Sequence, residues 1–168
     1  MLTKNIEILF STPKKWSFLS GFLRWYLGAP FSHVCLKIRS DFYERTMIYE
    51  ASAGQVQAEK YENWIKRNRI ITQFSIEVDA KRKKEIIQFC IDHLRHKYGM
   101  ASLFNIFLRD KLGINASIGA DGHEKFICSE FAFLSLKPEI KEVAHKKGLT
   151  IIEEAVFIDP TEIYEILS

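Results

Sequence analysis

Cysteine is scarce in this sequence, and the few copies do not form recognisable pairs. The 168 residues include three cysteines, Cys35, Cys90 and Cys128, and no Cys-x-x-Cys spacing. An odd number of isolated cysteines argues against a disulfide framework, and the missing spacing argues against a zinc ribbon. We therefore predict no metal and no cofactor, and we expect free thiols in a reducing compartment.

Long apolar runs and a strong net charge are also missing. No stretch approaches the roughly 20 apolar residues of a membrane span, and Glu7 stands where a signal peptide would have its apolar segment. The net charge of +3 is too small to indicate a nucleic-acid partner, and the basic run at 81–84 fits the solvated start of a helix. The expectation is a soluble, cytoplasmic protein with no nucleic-acid partner and no integral membrane segment. The oligomeric state stays open.

The sequence does contain the composition and periodicity of one α+β domain over residues 1–168. Hydrophobic residues make up 47% and charged residues 27%, as in ordinary globular proteins, and no repeat or linker divides the chain. The segment 32–38 alternates, so that His33, Cys35 and Lys37 share one face of a strand. Strands are predicted at 6–10, 32–38, 47–51 and within 70–78, and the composition at 150–157 is also typical of a strand. Helices are predicted at 16–27, 80–97, 101–112, 138–147 and 160–167, and a further helix is predicted to begin at Cys128.

Aromatic side chains are dense in the first predicted helix. Trp16 lies on one apolar row, and Phe18, Phe22 and Trp25 form a second, so the helix is apolar over much of its circumference. Core packing is the preferred interpretation of these aromatics. A ligand-facing or lipid-facing surface is the alternative.

Cys128 stands where a polar loop gives way to an apolar, helix-compatible run. The loop at 119–124 carries two glycines, and Phe131 and Leu134 then share one helical face. A thiol at a helix N-terminus lies near the positive end of the helix dipole and near free N–H groups, which favour the thiolate. Cys128 is therefore a candidate nucleophile. Its alternative interpretation is an inert core thiol, because free cysteines are among the most buried residues.

His33 is the histidine best placed to serve as the base for such a thiol. It begins the alternating segment, whereas the other four histidines lie in charged or loop surroundings. Imidazole is suited to taking a proton near neutral pH, and a nucleophilic thiol needs such a group within hydrogen-bond reach. The alternative is a half-buried strand histidine that bonds neighbouring backbone. Spacing alone does not decide between them.

The order of the short motifs resembles that of a known family. Ser-His-Val at 32–34 lies on one strand, Glu-Ala at 50–51 on the next, and Cys-Ser-Glu at 128–130 comes last, at a helix start. This succession resembles the circularly permuted branch of the NlpC-type cysteine peptidases, the YiiX-like proteins, to which relatives of lecithin:retinol acyltransferase also belong. The resemblance implies a papain-like α+β fold with a small antiparallel sheet packed against helices.

Carried onto this sequence, the resemblance implies Cys128 as nucleophile, His33 as general base and Glu50 as the carboxylate that orients the imidazole. The implied function is a cysteine hydrolase that cleaves an amide bond, as a peptidase or amidase, through a thioester acyl-enzyme. Its partner is then a peptide or amide substrate. A thioesterase or acyltransferase that acts on a lipid ester with the same triad is one alternative, and a non-catalytic ligand-binding domain of this fold is another. For Glu50 itself, the alternative is an exposed acid at a strand edge.

One stretch departs from the family pattern. Tyr98 lies where the family has Gly-x-x-Tyr-Asp, but Arg95 and Gly99 stand at the glycine and aspartate positions. The sequence leaves open whether Tyr98 or Cys35 lines the active-site cleft, and a core position is favoured for Cys35.

Overall fold

The computed structural model describes residues 5–40, 44–52, 54–98, 125–149 and 158–168. These residues form a sheet and the helices that pack on it. This architecture confirms the predicted α+β class. The helix predicted at 101–112 and the β-like segment at 150–157 lie outside the described residues.

The sheet contains five strands of six or more residues and two short ones at one edge. Its order is β5-β1-β2-β3-β4-β6-β7, and neighbouring strands run antiparallel except for the β6–β7 pair. The strands are β1 (Asn5–Pro13), β2 (His33–Ser40), β3 (Arg45–Ser52), β4 (Gln55–Lys60), β5 (Asn68–Glu77), β6 (Lys97–Tyr98) and β7 (Lys125–Phe126).

Six helices occur among the described residues, and their ends follow local chemistry. Ser17 caps the first helix, which ends at Gly28 with the positive φ of 62° that glycine tolerates. Asp79 caps the third by accepting the Arg82 N–H. None of these helices is both long and apolar enough to cross a membrane. They are α1 (Phe18–Leu27), α2 (Tyr61–Arg67), α3 (Ala80–Asp92), α4 (Cys128–Ser135), α5 (Lys137–Lys146) and α6 (Pro160–Leu167).

The two faces of the sheet bury different cores. The larger core joins one face to α3, α4, α5 and α6, and the smaller joins the other face to Trp64 of α2. The predicted alternation in β2 is confirmed, because Val34 and Leu36 lie in the larger core and Cys35 in the smaller one. The sheet is thus a partition between two apolar layers, and a residue at a strand end is placed to reach both.

Two parts of the secondary structure differ from the sequence-based prediction. Strand β4 and helix α2 were not predicted, and α3 ends at Asp92 rather than near residue 97. The chain leaves the helix because it pairs with β4. The Arg95 N–H donates to the Val56 carbonyl at 2.9 Å, and the Val56 N–H donates to the His96 carbonyl at 2.8 Å. Arg95 makes the turn with a φ of 71°.

The core interpretation of the first helix is wrong for three aromatics. Trp16, Phe18 and Trp25 are 80%, 75% and 73% exposed. Only one face of α1 packs on the protein, and Leu23 and Tyr26 occupy it. The second apolar row therefore faces outward.

Phe10 sits at the centre of the larger core and is fully buried. Its ring centroid lies 4.9 Å from that of Phe31, 5.9 Å from that of Phe74 and 5.7 Å from that of Tyr164. These contacts join β1 to β5 and to α6, so the aromatic cluster holds the sheet against the C-terminal helix.

Phe10→Ala should lower the free energy of unfolding by about 3–5 kcal/mol, because the substitution removes buried apolar surface and leaves a cavity. Urea unfolding followed by circular dichroism measures this loss. Phe18→Ala is the matched control, since its ring is 75% exposed, and should change stability by no more than about 0.5 kcal/mol. Similar losses in the two variants would contradict the central role of Phe10.

Candidate active site

Cys128 is the first residue of α4, and three local hydrogen bonds hold this helix start in place. The Glu130 carboxylate accepts the Ile127 N–H at 2.9 Å, and the Ser129 hydroxyl donates to the Ile158 carbonyl at 2.6 Å. The helix itself begins with the backbone bond from Phe131 to Ile127 at 3.0 Å. The Ser-Glu pair that follows the cysteine therefore orients the thiol rather than taking part in its chemistry.

The Glu130 carboxyl is buried two residues from the thiol. Burial raises its pKa to about 7, although the hydrogen bond from Ile127 opposes this rise. Its Oε1 atom has no hydrogen-bond partner among the described residues. Near neutral pH the group is therefore partly uncharged, which limits the negative charge beside Cys128.

His33 begins β2, and Glu50 lies on the adjacent β3. The pairing of Leu36 with Tyr49, continued by one residue, sets Glu50 opposite Cys35 and diagonal to His33 on the same face. The His33 Nε2 and the Glu50 Oε2 are 2.8 Å apart. Strand register alone thus brings the imidazole and the carboxylate together, as the period-two pattern of the two segments requires.

The Glu50 carboxylate is buried and is bonded by three side chains. Besides His33, Trp64 Nε1 donates to Oε2 at 2.9 Å and Gln57 Nε2 donates to Oε1 at 2.8 Å. Burial by itself would raise the pKa of Glu50, but the hydrogen bonds and the charge of His33, with the bonds from Gln57 and Trp64, lower it to about 2. The group is therefore a fully ionised anion at neutral pH, and its exposed-edge interpretation is wrong.

The Cys128 side chain also influences the His33 imidazole. Burial by itself would lower the pKa of His33, but hydrogen bonds to Cys128 and Glu50, with their negative charges, raise it to about 10. Nε2 is used by Glu50, so Nδ1 is the ring nitrogen left for the thiol. The ring is thus a cation at neutral pH, held between a sulfur and a carboxylate.

Cys35 adjoins this group but belongs to the core. It is fully buried with Leu9, Ile48 and Trp64. Burial, with the charges of Glu50 and Cys128, raises the pKa of its thiol well above the ordinary value. Cys35 is therefore a neutral apolar thiol, in agreement with the core position favoured from the sequence.

Donor atoms of His33, Cys35 and Glu50 lie within 4.8 Å of one another, which is close enough to consider a metal site. A bound metal needs lone pairs directed at it. Here the His33 Nε2 and the Glu50 Oε2 are bonded to each other at 2.8 Å, and Trp64 donates to that same oxygen. These residues do not fit a metal unless their hydrogen bonds first break.

A cavity of about 780 Å³ opens beside His33 and Glu50. Its size lies in the range of small-molecule sites. Cys128 is 6% exposed and is not among the described residues that line this cavity. Four cations lie along the cavity, together with apolar side chains of β1, α1 and β3: Lys14, Lys15, Lys66 and Arg67, and Pro13, Leu19, Leu23 and Ala51.

Sequence reasoning named Cys128, His33 and Glu50. The structure joins His33 to Glu50 by a hydrogen bond of 2.8 Å, and Cys128 is linked to this pair through its effect on the pKa of His33. It missed Gln57 and Trp64, which hold the carboxylate. The one available signal was Trp64 itself, an isolated tryptophan within a strongly polar stretch at 57–69. Tyr98, whose place in the cleft the sequence left open, lies in β6 and is not among the described residues that line the cavity beside His33.

Among solved structures, the chain is similar to the metalloprotein YiiX from Escherichia coli O157:H7. The TM-score is 0.58 over 97% of this chain and 91% of that chain, with 11% sequence identity. The two proteins therefore share a fold, and the YiiX-like resemblance found in the motifs holds at the level of architecture. No family model matches the chain, and no curated protein matches its sequence.

The His33–Glu50 pair should make stability depend on pH. The pKa of His33 rises from 6.5 to about 10 on folding, so its contribution is complete below pH 6.5 and is lost as the pH rises towards 10. The pKa of Glu50 falls from 4.5 to about 2, so its contribution is present above pH 4.5 and is lost as the pH falls towards 2. The stability advantage of wild type over His33→Gln should therefore be largest between about pH 4.5 and 6.5.

Urea unfolding of both proteins across this range measures that advantage, and an NMR titration of the His33 ring reports its pKa directly. Cys128→Ala should lower the pKa of the ring, because the contribution of Cys128 that raises it is removed. Two results would contradict the coupling of His33 to Glu50 and Cys128. One is a wild-type His33 ring with a pKa near its ordinary value, and the other is a stability difference between wild type and His33→Gln that does not vary with pH.

Proposed function

We propose that this protein is a cysteine hydrolase in which Cys128 is the nucleophile, His33 the acid–base group and Glu50 the residue that orients His33. The observation that carries the proposal is the His33–Glu50 hydrogen bond of 2.8 Å, together with the influence of Cys128 on the pKa of the same ring. A nucleophile, a base and an orienting group in hydrogen-bonded series are the parts that covalent acyl transfer requires.

The chemistry follows from these positions. An imidazolium that bonds a thiol favours the thiolate, as does a helix N-terminus. The Cys128 thiolate adds to the substrate carbonyl carbon, and a backbone N–H at the start of α4 bonds the developing oxyanion. When the tetrahedral intermediate collapses, His33 gives its proton to the leaving group and a thioester to Cys128 remains. His33 then takes a proton from water, whose oxygen attacks the thioester and releases the acid.

Cys128 is a better nucleophile than Cys35, although both thiols are near His33. Cys35 is fully buried among Leu9, Ile48 and Trp64. Its raised thiol pKa keeps it protonated, and a protonated thiol is a poor nucleophile. Cys128 instead is the first residue of a helix, and the His33 ring that it influences is cationic.

The proposed family is the circularly permuted, papain-like NlpC branch. The chain order supports it, since the base and carboxylate strands precede the nucleophile helix, and the YiiX-like fold agrees with it. A cytoplasmic location suits a free catalytic thiol, because reducing conditions keep it from oxidising. YiiX is described as a metalloprotein. In this chain the His33 Nε2 and the Glu50 Oε2 are bonded to each other and are not directed at a metal.

An amide bond is the first candidate for cleavage, as in peptidases of that branch. A lipid ester is the second, and the cavity favours it in one respect: Leu19, Leu23 and Pro13 supply apolar walls. Among the described lining residues, Glu50 is the sole acid, and it is bonded to His33. Four further cations line the cavity, of which Arg67 pairs with Glu59. Either substrate should therefore carry a negative group.

Iodoacetamide at about pH 6 should alkylate wild-type protein once, at Cys128, because ordinary thiols are almost fully protonated at that pH. Mass spectrometry of the intact protein and of its peptides locates the label. Cys35→Ala serves as the control and should label as wild type does. Equal labelling of wild type and Cys128→Ala would reject the nucleophile.

Hydrolysis of a panel of peptide amides and lipid esters should fall by roughly 10³-fold or more in Cys128→Ala. Glu50→Gln should lower kcat/KM by roughly 100-fold or more, because the amide can no longer stabilise the imidazolium. Glu77→Gln, an exposed acid on β5, is the matched control for the loss of a charge. If Glu50→Gln retained wild-type activity, Glu50 would not be the orienting group.

A further inference from the structure

Helix α1 presents an aromatic surface that the hydrolase does not explain. Trp16, Phe18 and Trp25 are 80%, 75% and 73% exposed, and Leu19 is 43% exposed. We call these four residues the aromatic patch. Large aromatic side chains seldom cluster in the open on a soluble protein unless the surface binds something.

The segment that contains the patch carries charge of one sign. Between Glu7 and Asp41 the sequence contains no acidic residue but five basic ones, of which Lys14, Lys15 and Arg24 are nearest to the patch along the chain. Lys14 and Lys15 are exposed next to Trp16 in the chain. A partner that contacts the patch therefore meets positive charge and no carboxylate from this segment.

A small basic cavity lies directly beside the patch. It measures about 280 Å³ and is lined by Trp16 and by four cations, Lys14, Lys15, Arg24 and Arg69, with no acidic side chain among the described lining residues. A cavity of this size and charge fits a phosphate group.

We propose that the aromatic patch and the basic cavity form a docking surface for a bilayer of anionic phospholipid. Tryptophan and phenylalanine insert at the boundary between headgroups and acyl chains, and nearby lysine and arginine bind lipid phosphates. The patch supplies the first kind of contact, and Lys15, Arg24 and Arg69 supply the second.

The position of α1 relates this surface to the candidate active site. Leu19 of the patch and Leu23 on the buried face of the helix both line the cavity beside His33 and Glu50. Docking would therefore set the cavity next to the bilayer. A lipid ester as substrate follows from this placement and rests on the proposed function, whereas the docking does not.

Co-sedimentation with vesicles tests the docking. The full chain with Cys128→Ala removes any effect of turnover, and the vesicles are phosphatidylcholine alone or mixed with phosphatidylglycerol. Binding to the mixed vesicles should exceed binding to phosphatidylcholine alone by about tenfold or more. The chain has three tryptophans, and Trp64 is fully buried. A blue shift of the emission on vesicle binding therefore reports Trp16 and Trp25.

Two pairs of variants separate the two parts of the surface. Trp16→Ala with Trp25→Ala should reduce vesicle binding by about tenfold or more, whereas Ile91→Ala, which is 46% exposed on α3, should not. Lys15→Glu with Arg69→Glu should abolish the preference for anionic vesicles, whereas Lys84→Glu on α3 should retain it. Circular dichroism confirms that each variant is folded.

Three results would overturn the docking surface. They are equal binding to the two kinds of vesicle, binding that survives the tryptophan substitutions, and no binding at all. A dimer in analytical ultracentrifugation that Trp16→Ala dissociates would assign the patch to a second copy of the chain instead. Vesicle binding without hydrolysis of any lipid ester would retain the docking and reject the lipid substrate, so the two proposals fail separately.

Discussion

The buried carboxylate of Glu50 is the constraint on which the candidate site depends. An ionised group away from water is tolerated only when its oxygens are bonded, and Glu50 bonds His33, Gln57 and Trp64. These donors come from β2, β4 and α2, so one anion fixes the relative positions of three elements around β3. The bond to Glu50 occupies Nε2 of the His33 ring, so Nδ1 is the nitrogen left for Cys128.

The site also depends on where the sheet ends. Most residues of a strand face one apolar layer or the other, and the sheet separates α4 from α2. His33 is the first residue of β2 and pairs with Ser11 of β1. Its ring bonds a carboxylate that Trp64 of α2 also contacts, and its pKa responds to a thiol at the start of α4. An imidazole in the middle of the strand would reach only one of them.

Much of this arrangement could be predicted from the sequence, because local physics determines it. Alternation placed His33 and Cys35 on one face, and the loop-to-helix change placed Cys128 at a helix start. The roles of Gln57 and Trp64 could not be predicted in the same way, because each residue acts only through its hydrogen bond to Glu50 of β3, a partner that the local sequence does not reveal. The sequence predicted the end of α3 too late for a similar reason. The chain turns away after Asp92 so that Arg95 can bond Val56, a partner distant in sequence.

Helix α1 shows why apolar composition does not by itself determine burial. A helix that packs on a sheet through one face buries only the residues of that face, here Leu23 and Tyr26. The remaining aromatics stay in water, an arrangement that is unfavourable for an isolated protein. The absence of acidic residues between Glu7 and Asp41 adds a second unusual feature to the same segment. Apolar and cationic groups side by side are complementary to one kind of surface in particular, where acyl chains and phosphates also lie side by side.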